Sequence, residues 1–180
     1  FAILALESRR NRCVVIGEDL GTVPDQARYL LNRYQVFSYK VVYFSKGWHG
    51  FEWPEEYPEQ AITVVSTHDV APLAGYWTGK DLDLMFRLGT IPDAETFQTT
   101  LEAREHDKAD LFDKLKHADC LPADAEMSSE IDEALLTALH RYAAMSRSKL
   151  YAVQLENLLG MSDNLNVPGV SEGYPKDRKS

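Results

Sequence analysis

The amino-acid sequence predicts an α/β fold, because four short apolar runs are separated by helical or loop segments. Three of the runs are rich in Val, Ile or aromatic residues and almost continuously apolar, which is typical of strands covered on both faces of a parallel sheet. The fourth could equally be the end of the preceding helix. In chain order the runs are residues 13–16, 39–44, 61–65 and 151–155. Their alternation with helices favours an α/β architecture but does not distinguish a barrel from an open sheet.

Helical patterns occupy much of the remaining chain. Apolar residues near the start share one helical face, and Pro24 suits the first turn of a second helix. The stretch from 71 to 150 is mostly helical in pattern. The main helices predicted there are residues 81–88, residues 93–116 and a last one that Ser129 caps. Because this stretch is too long for an ordinary crossover, we expect a helical insertion between the last two strands.

Composition and charge narrow the class of partner. With 180 residues, 44% of them hydrophobic, the chain can bury a core. The net charge of −9 argues against a nucleic-acid partner, since phosphate binding needs clustered Lys and Arg, and is compatible with a neutral sugar polymer. No apolar run approaches the length of a membrane span. Two cysteines, Cys13 (expected to be a small core residue) and Cys120, form no disulfide framework, which favours a cytoplasmic setting.

Two carboxylates, Glu18 and Asp69, stand just beyond the C-terminal ends of the first and third apolar runs. Catalytic residues of (β/α)8 barrels occupy this rim. Paired carboxylates serve glycoside cleavage, in which one protonates the leaving oxygen and nearby charge stabilises the oxocarbenium-like transition state. The alternative is that both are ordinary acidic loop residues. The catalytic interpretation predicts that the two side chains converge on one cleft.

Seven short segments carry a likeness to a known family. They are VIGEDLGTVP (15–24), SYKVVYF (38–44), YPEQ (57–60), STHD (66–69), GYW (75–77), VQLE (153–156) and NVPG (166–169). In order and spacing they resemble the C-terminal part of 4-α-glucanotransferases (amylomaltases), and the likeness is weakest through residues 80–148. It implies the C-terminal part of a (β/α)8 TIM-type barrel. Barrel elements with the catalytic segments would occupy 1–78, the helical insertion 79–148, and the last strand with an extended tail 149–180.

The resemblance also implies roles for single residues. Glu18 would be the general acid/base, and Asp69 would be the transition-state stabiliser that grips hydroxyls of the reacting sugar ring. His68 would donate a hydrogen bond to the same ring, although a satisfied core histidine is the alternative. Among the tryptophans, Trp48 is a candidate for stacking on a sugar ring, whereas Trp77 is a better candidate for the core.

Some features depart from the family pattern. The family's nucleophile is an aspartate in an Arg-x-Asp-His segment, and this chain contains no Arg-x-Asp. Asn157 stands where relatives often carry an acid, and residues 174–180 lack an expected tryptophan. The chain also opens on Phe1 inside a helical pattern without a preceding cap. We therefore expect a fragment that lacks the N-terminal half of the barrel and is inactive by itself.

The expected function is that of a retaining transferase that moves α-1,4-glucan segments to the 4-hydroxyl of an acceptor glucan or glucose. The alternatives are a non-catalytic oligosaccharide-binding or structural remnant and a fragment of a related α-glucan hydrolase. The expected partners are maltooligosaccharides or other α-1,4-glucans, with no nucleic acid and no membrane. Neither a metal nor an organic cofactor is implied, because no His, Cys or carboxylate cluster has ligand spacing.

Overall fold

A computed structural model describes residues 1–170 of the chain. The elements are helices α1 (Ala2–Asn11), α2 (Asp25–Arg33), α3 (Leu73–Thr78), α4 (Lys80–Arg87), α5 (Ala94–His117), α6 (Glu133–Ala144) and α7 (Leu155–Leu158), and strands β1 (Ser38–Val41), β2 (Lys46–Gly47), β3 (Gly50–Phe51), β4 (Ala61–Val64) and β5 (Leu150–Tyr151). Helices stand both before and after the strands, the main sheet is parallel, and the predicted α/β class is confirmed.

The main sheet is parallel and follows the order of the sequence. Strand β4 lies between β1 and β5, with Ser38 opposite Ala61 and Ile62 opposite Leu150. The first apolar run joins the other side of β1 through a single parallel bridge between Ile16 and Phe37. There the Phe37 N–H donates to the Val15 carbonyl at 2.9 Å. Four parallel segments therefore stand side by side in chain order.

Two other apolar runs also form strands over only part of their length. The run 39–44 leaves the sheet after Val41 and continues as a 3-10 turn, Val42–Phe44. Ser45 closes that turn, since its N–H reaches the Val41 and Val42 carbonyls at 3.1 Å. The fourth run, 151–155, shares only Tyr151 with strand β5 (Leu150–Tyr151), and α7 begins at Leu155. Apolar character predicted both runs as strands beyond the point where their hydrogen bonds to the sheet stop.

The helical stretch lies between β4 and β5, as predicted, and α3 to α6 contain no strand between them. Asp93 caps α5 by accepting a hydrogen bond from the Thr96 N–H at 2.7 Å. The predicted cap Ser129 is wrong, because α6 begins later and Asp132 accepts from the Leu135 N–H at 2.7 Å. Pro24 is the N-cap of α2 rather than part of its first turn.

The helices and the strands share one core. It joins Val41 and Val64 of the sheet to Leu111 of α5 and Leu139 of α6. Trp77 is 1% exposed and belongs to the same cluster, so its expected core position is confirmed. The inserted helices therefore pack onto the sheet instead of building a separate core, while the domain limits 79–148 stay a prediction. Cys13, expected to be buried, is exposed because the first run lies at the edge of the sheet.

Within residues 1–170, none of the helices combines the length and the apolar character needed to cross a membrane. In the same part of the chain, no group of three or more His, Cys, Asp or Glu side chains is arranged to hold a metal ion. The predicted extended tail lies mostly at residues 171–180, outside the described residues.

Candidate active site

Glu18 lies on a short turn directly after the first parallel segment. One carboxylate oxygen, Oε1, accepts a hydrogen bond from the Leu20 N–H at 2.6 Å, which fixes the turn locally. The site of Gly17 is tight, because a Cβ there would lie 3.0 Å from Leu31 Cδ2 and would push that side chain aside. The next residue, Asp19, accepts from the Tyr39 N–H at 2.9 Å and ties the turn to β1. Glu18 itself is exposed, so its carboxylate is accessible from solvent.

The charge of this carboxylate acts on Tyr39 of β1. Burial raises the pKa of the Tyr39 hydroxyl, and the negative charge of Glu18 raises it further. The hydroxyl therefore keeps its proton at neutral pH.

Asp69 lies in the loop between β4 and α3. Its backbone N–H donates to Thr67 Oγ1 at 3.2 Å. Its carboxylate oxygen Oδ1 accepts from Asn166 Nδ2 at 2.6 Å and lies 3.3 Å from His68 Nε2. The His68 side chain is 73% exposed, which excludes the core-histidine alternative for the structure described. Asp69 and His68 thus form a polar pair at the surface, oriented from one side by Asn166.

The two carboxylates lie at the same edge of the sheet. Glu18 follows the bridge residue Ile16 by two positions, and Asp69 follows the last β4 residue, Val64, by five. Since the strands run parallel, these positions are both beyond the carboxyl ends, with β1 between them. The convergence of both side chains on one cleft stays a prediction.

Trp48 lies beyond the same edge, at the tip of the β2–β3 hairpin that follows β1 and its 3-10 turn. Its side chain is 96% exposed, and its ring packs edge to face with the His49 ring, with centroids 5.0 Å apart. The base of the hairpin is held by α5, where Asp110 accepts from the Phe51 N–H at 2.8 Å. The hairpin is thus a fixed arm that presents an indole ring to solvent.

Comparison with known proteins identifies the family. A family model described as 4-alpha-glucanotransferase matches residues 1–178. The chain belongs to the 4-alpha-glucanotransferase family. Curated relatives include the 4-alpha-glucanotransferase of Haemophilus influenzae, 41% identical over 177 residues, covering 97% of this chain and 25% of that protein. The enzyme of the same name from Mycobacterium tuberculosis is 36% identical over 182 residues, covering 98% and 24%.

Solved structures place the fold in the same family. The amylomaltase of Corynebacterium glutamicum matches with a TM-score of 0.85 and 32% identity, over 94% of this chain and 25% of that one. An amylomaltase from Streptococcus agalactiae in complex with acarbose matches with a TM-score of 0.56 and 16% identity, over 89% and 26%, and supports the fold alone. The chain spans about a quarter of the length of the 4-alpha-glucanotransferases that it matches.

Sequence reasoning missed the residues that hold the Asp69 loop. Asn157, noted only as a departure from the family pattern, is 1% exposed. It accepts from the Leu73 N–H at 2.8 Å and donates to Ser66 Oγ and to Gln154 Oε1, both at 3.2 Å. Gln154 in turn donates to the Ser66 carbonyl. A buried amide therefore joins both ends of the loop that carries His68 and Asp69.

Two cavities formed by the described residues do not contain these carboxylates. One of about 970 Å³ runs along α2 and β1 and is lined in part by Arg28, Lys40 and Lys149. A second, of about 960 Å³, lies between α1, α2 and the first parallel segment. Neither Glu18 nor Asp69 lines either cavity. The candidate site of this 4-alpha-glucanotransferase chain is therefore identified by its strand-end chemistry and not by cavity size.

Proposed function

We propose that this chain supplies the acid/base and the stabilising carboxylate of a retaining 4-α-glucanotransferase. We propose further that its four parallel segments are the C-terminal part of a (β/α)8 barrel, divided as 1–78, 79–148 and 149–180. The observation that carries the proposal is that Glu18 and Asp69 both follow carboxyl ends of one parallel sheet, in a chain of the 4-alpha-glucanotransferase family. That edge is where (β/α)8 enzymes place their catalytic residues.

In this mechanism Glu18 acts twice. Its carboxylic acid protonates the oxygen of an α-1,4 bond while an aspartate from a part of the protein outside this chain attacks the anomeric carbon. The leaving glucan departs and a glucanosyl ester remains. The Glu18 carboxylate then takes the proton of an acceptor 4-hydroxyl, whose oxygen attacks the same carbon and displaces the aspartate. Two inversions retain the configuration. The Leu20 N–H holds Oε1 and orients the carboxyl group for both steps.

The other site residues bind the sugar. Asp69 accepts hydrogen bonds from hydroxyls of the ring at the reacting centre, and these bonds strengthen as positive charge develops on that ring. His68, exposed beside Asp69, donates a further hydrogen bond to the ring. Trp48 offers an apolar face for stacking a more distant glucose unit. Maltooligosaccharides and longer α-1,4-glucans are the substrates that fit these roles.

This division of labour makes the chain inactive when it is separated from the rest of the barrel. Glu18 has no Arg-x-Asp partner within residues 1–180, so the covalent step needs a carboxylate from elsewhere. The cytoplasmic location suggested by two unpaired cysteines belongs to the same proposal.

Product analysis of the full-length protein with maltotriose tests the function. Transfer yields glucose together with maltooligosaccharides longer than the substrate, and we expect this mixture. A hydrolase would release glucose and maltose without longer products. A binding remnant would retain maltotriose in equilibrium dialysis without converting it. Either of those results overturns the proposal.

A further inference from the structure

The segment 160–170, called here the C-terminal strap, crosses α3 and ends beside Asp69. Its Ser162 carbonyl packs against Gly75 of α3 so closely that a Cβ at Gly75 would overlap it. Lys80, at the start of α4, donates to Ser162 Oγ at 2.8 Å and pairs with Asp163 Oδ1 at 2.7 Å. The first half of the strap is therefore fixed to the α3–α4 corner.

The second half of the strap is anchored by burial. Asn164 and Val167 are each 2% exposed. A turn follows, in which the Val170 N–H donates to the Val167 carbonyl at 3.1 Å. Asn166 lies between the two buried residues, so its backbone is held on both sides.

The Asn166 side chain reaches the candidate active site across 97 positions of sequence, donating from Nδ2 to Asp69 Oδ1 at 2.6 Å. His68 Nε2 approaches the same oxygen at 3.3 Å. Among residues 1–170, the other oxygen of Asp69, Oδ2, makes no hydrogen bond. The hydrogen bond from Asn166 restrains Oδ1, and within the described residues the second oxygen stays available to accept from a ligand.

We propose that Asn166 is a positioning residue for Asp69, delivered to the site by the C-terminal strap. The proposal rests on the proposed function, in which Asp69 stabilises the charged transition state. An amide donor suits this place because it orients a carboxylate without changing its charge. A hydrogen bond to a charged group is worth enough that its loss should lower turnover about ten- to hundredfold.

The test compares substitutions of matched shape in the full-length protein. Asn166→Leu removes the donor, and Asn164→Leu makes the same change two positions away, at an amide whose Nδ2 has no hydrogen-bond partner within the described residues. We expect Asn166→Leu to lower kcat for maltotriose transfer about ten- to hundredfold with KM changed less than threefold, because Asp69 acts mainly in the transition state. Asn164→Leu should stay within threefold of wild type in both constants.

Asn166→Asp tests the pH dependence of activity, which should not change if Asn166 has only a structural role. Two carboxylates at this distance cannot easily both be ionised, so one keeps a proton at lower pH and can still donate to the other. Activity relative to wild type should therefore be greatest at low pH and fall as the pH rises. The titratable residue that contacts Asp69 is His68, which is present in both proteins. The Asn166→Leu ratio should not change with pH.

The outcomes separate this inference from the proposed function. If Asp69→Asn is close to wild type, the assignment of Asp69 fails and the role of Asn166 fails with it. If Asp69→Asn is severe but Asn166→Leu keeps its kcat within threefold, only the positioning role is overturned. A pH-independent Asn166→Asp ratio also overturns it, and this comparison stands even if Asn166→Leu fails to fold.

Discussion

The ion pair between Asp81 and Arg104 joins α4 to α5, and we expect it to stabilise the packing of these two helices. Arg104 donates from Nη1 to Oδ1 at 3.0 Å and from Nη2 to Oδ2 at 2.9 Å. Its Nη1 also donates to the Tyr76 carbonyl at 2.7 Å, and the guanidinium lies 3.6 Å from the Tyr76 ring centroid. Burial alone would lower the pKa of Arg104, but the hydrogen bonds and charge of Asp81 raise it above its ordinary value. Arg104 therefore stays charged and depends on Asp81.

Removal of Asp81 should be costly. The two side chains are only 12% and 5% exposed, so Asp81→Leu leaves a buried cation without its counter-charge, at a cost of about 3–5 kcal/mol. The pair Arg147–Glu59 has a similar distance, 2.7 Å, but its side chains are 57% and 56% exposed. Because solvent screens an exposed pair, Glu59→Gln should have no measurable effect. Burial, and not distance, decides between the two results.

Amide hydrogen exchange in the full-length protein measures the difference. A loss of 3–5 kcal/mol corresponds to about 150- to 5,000-fold faster exchange for amides of α4 and α5 that open with the pair. The double variant Asp81→Leu with Arg104→Met replaces both charges by apolar groups and should recover most of the protection. Exchange in Asp81→Leu no faster than in Glu59→Gln would refute the reasoning. So would a double variant as unprotected as the single one.

Three further predictions concern the site and its surroundings. Glu18→Gln should lower kcat about 10²- to 10⁴-fold with the fold preserved, because the substitution removes the proton transfer. The control is Glu130→Gln, at an exposed acid outside the site, and it should leave kcat unchanged. A near-normal Glu18→Gln enzyme would remove Glu18 as acid/base. Trp48→Ala should raise KM for maltooligosaccharides about two- to tenfold, because stacking on the sugar is lost. Gly50→Ala should also raise KM, because its Cβ would overlap the Asp110 carboxylate that holds the hairpin in place. Equal KM values in all three proteins would contradict a sugar-binding hairpin. Burial lowers the pKa of His140 below its ordinary 6.5, so at acidic pH the unfolded state binds more protons than the folded state. The free energy of unfolding should therefore fall as the pH drops through 6.5. In thermal unfolding between about pH 7.5 and 5.5, the His140→Phe variant should show a smaller fall.

Local chemistry predicted the elements well where one signal dominates. The predicted helix 93–116 differs from α5 by one residue at each end, because Asp93 is the natural acceptor for the first turn. The predicted cap of the last helix is Ser129, with Asp132 three positions further along the chain. The structure selects Asp132, whose side chain reaches the Leu135 N–H. The prediction of Ser129 is wrong because more than one side chain near the start of α6 has the chemistry of a cap, and the structure uses the later one.

Contacts between distant residues escaped prediction for a different reason. Asn166 was recognised as part of a motif, but its contact with Asp69 depends on the path of the strap across Gly75. Asn157 was noted as a departure, but its bond to the Leu73 N–H spans 84 positions. Periodicity reports which face of an element is apolar and says nothing about which distant backbone group needs a donor or an acceptor. These contacts become visible only when the fold is known.

The two carboxylates are held in different ways, and this has a consequence for the site. Glu18 is oriented by the N–H of Leu20, two positions away, so its geometry depends mainly on its own turn. Asp69 is oriented by Asn166 from the strap, and its loop is joined at both ends by Asn157. A substitution that shifts α3, α7 or the strap should therefore change the orientation of Asp69 more than that of Glu18. In the proposed mechanism Glu18 transfers protons and Asp69 binds the developing charge. We therefore expect such a substitution to weaken binding of the transition state and to leave proton transfer intact.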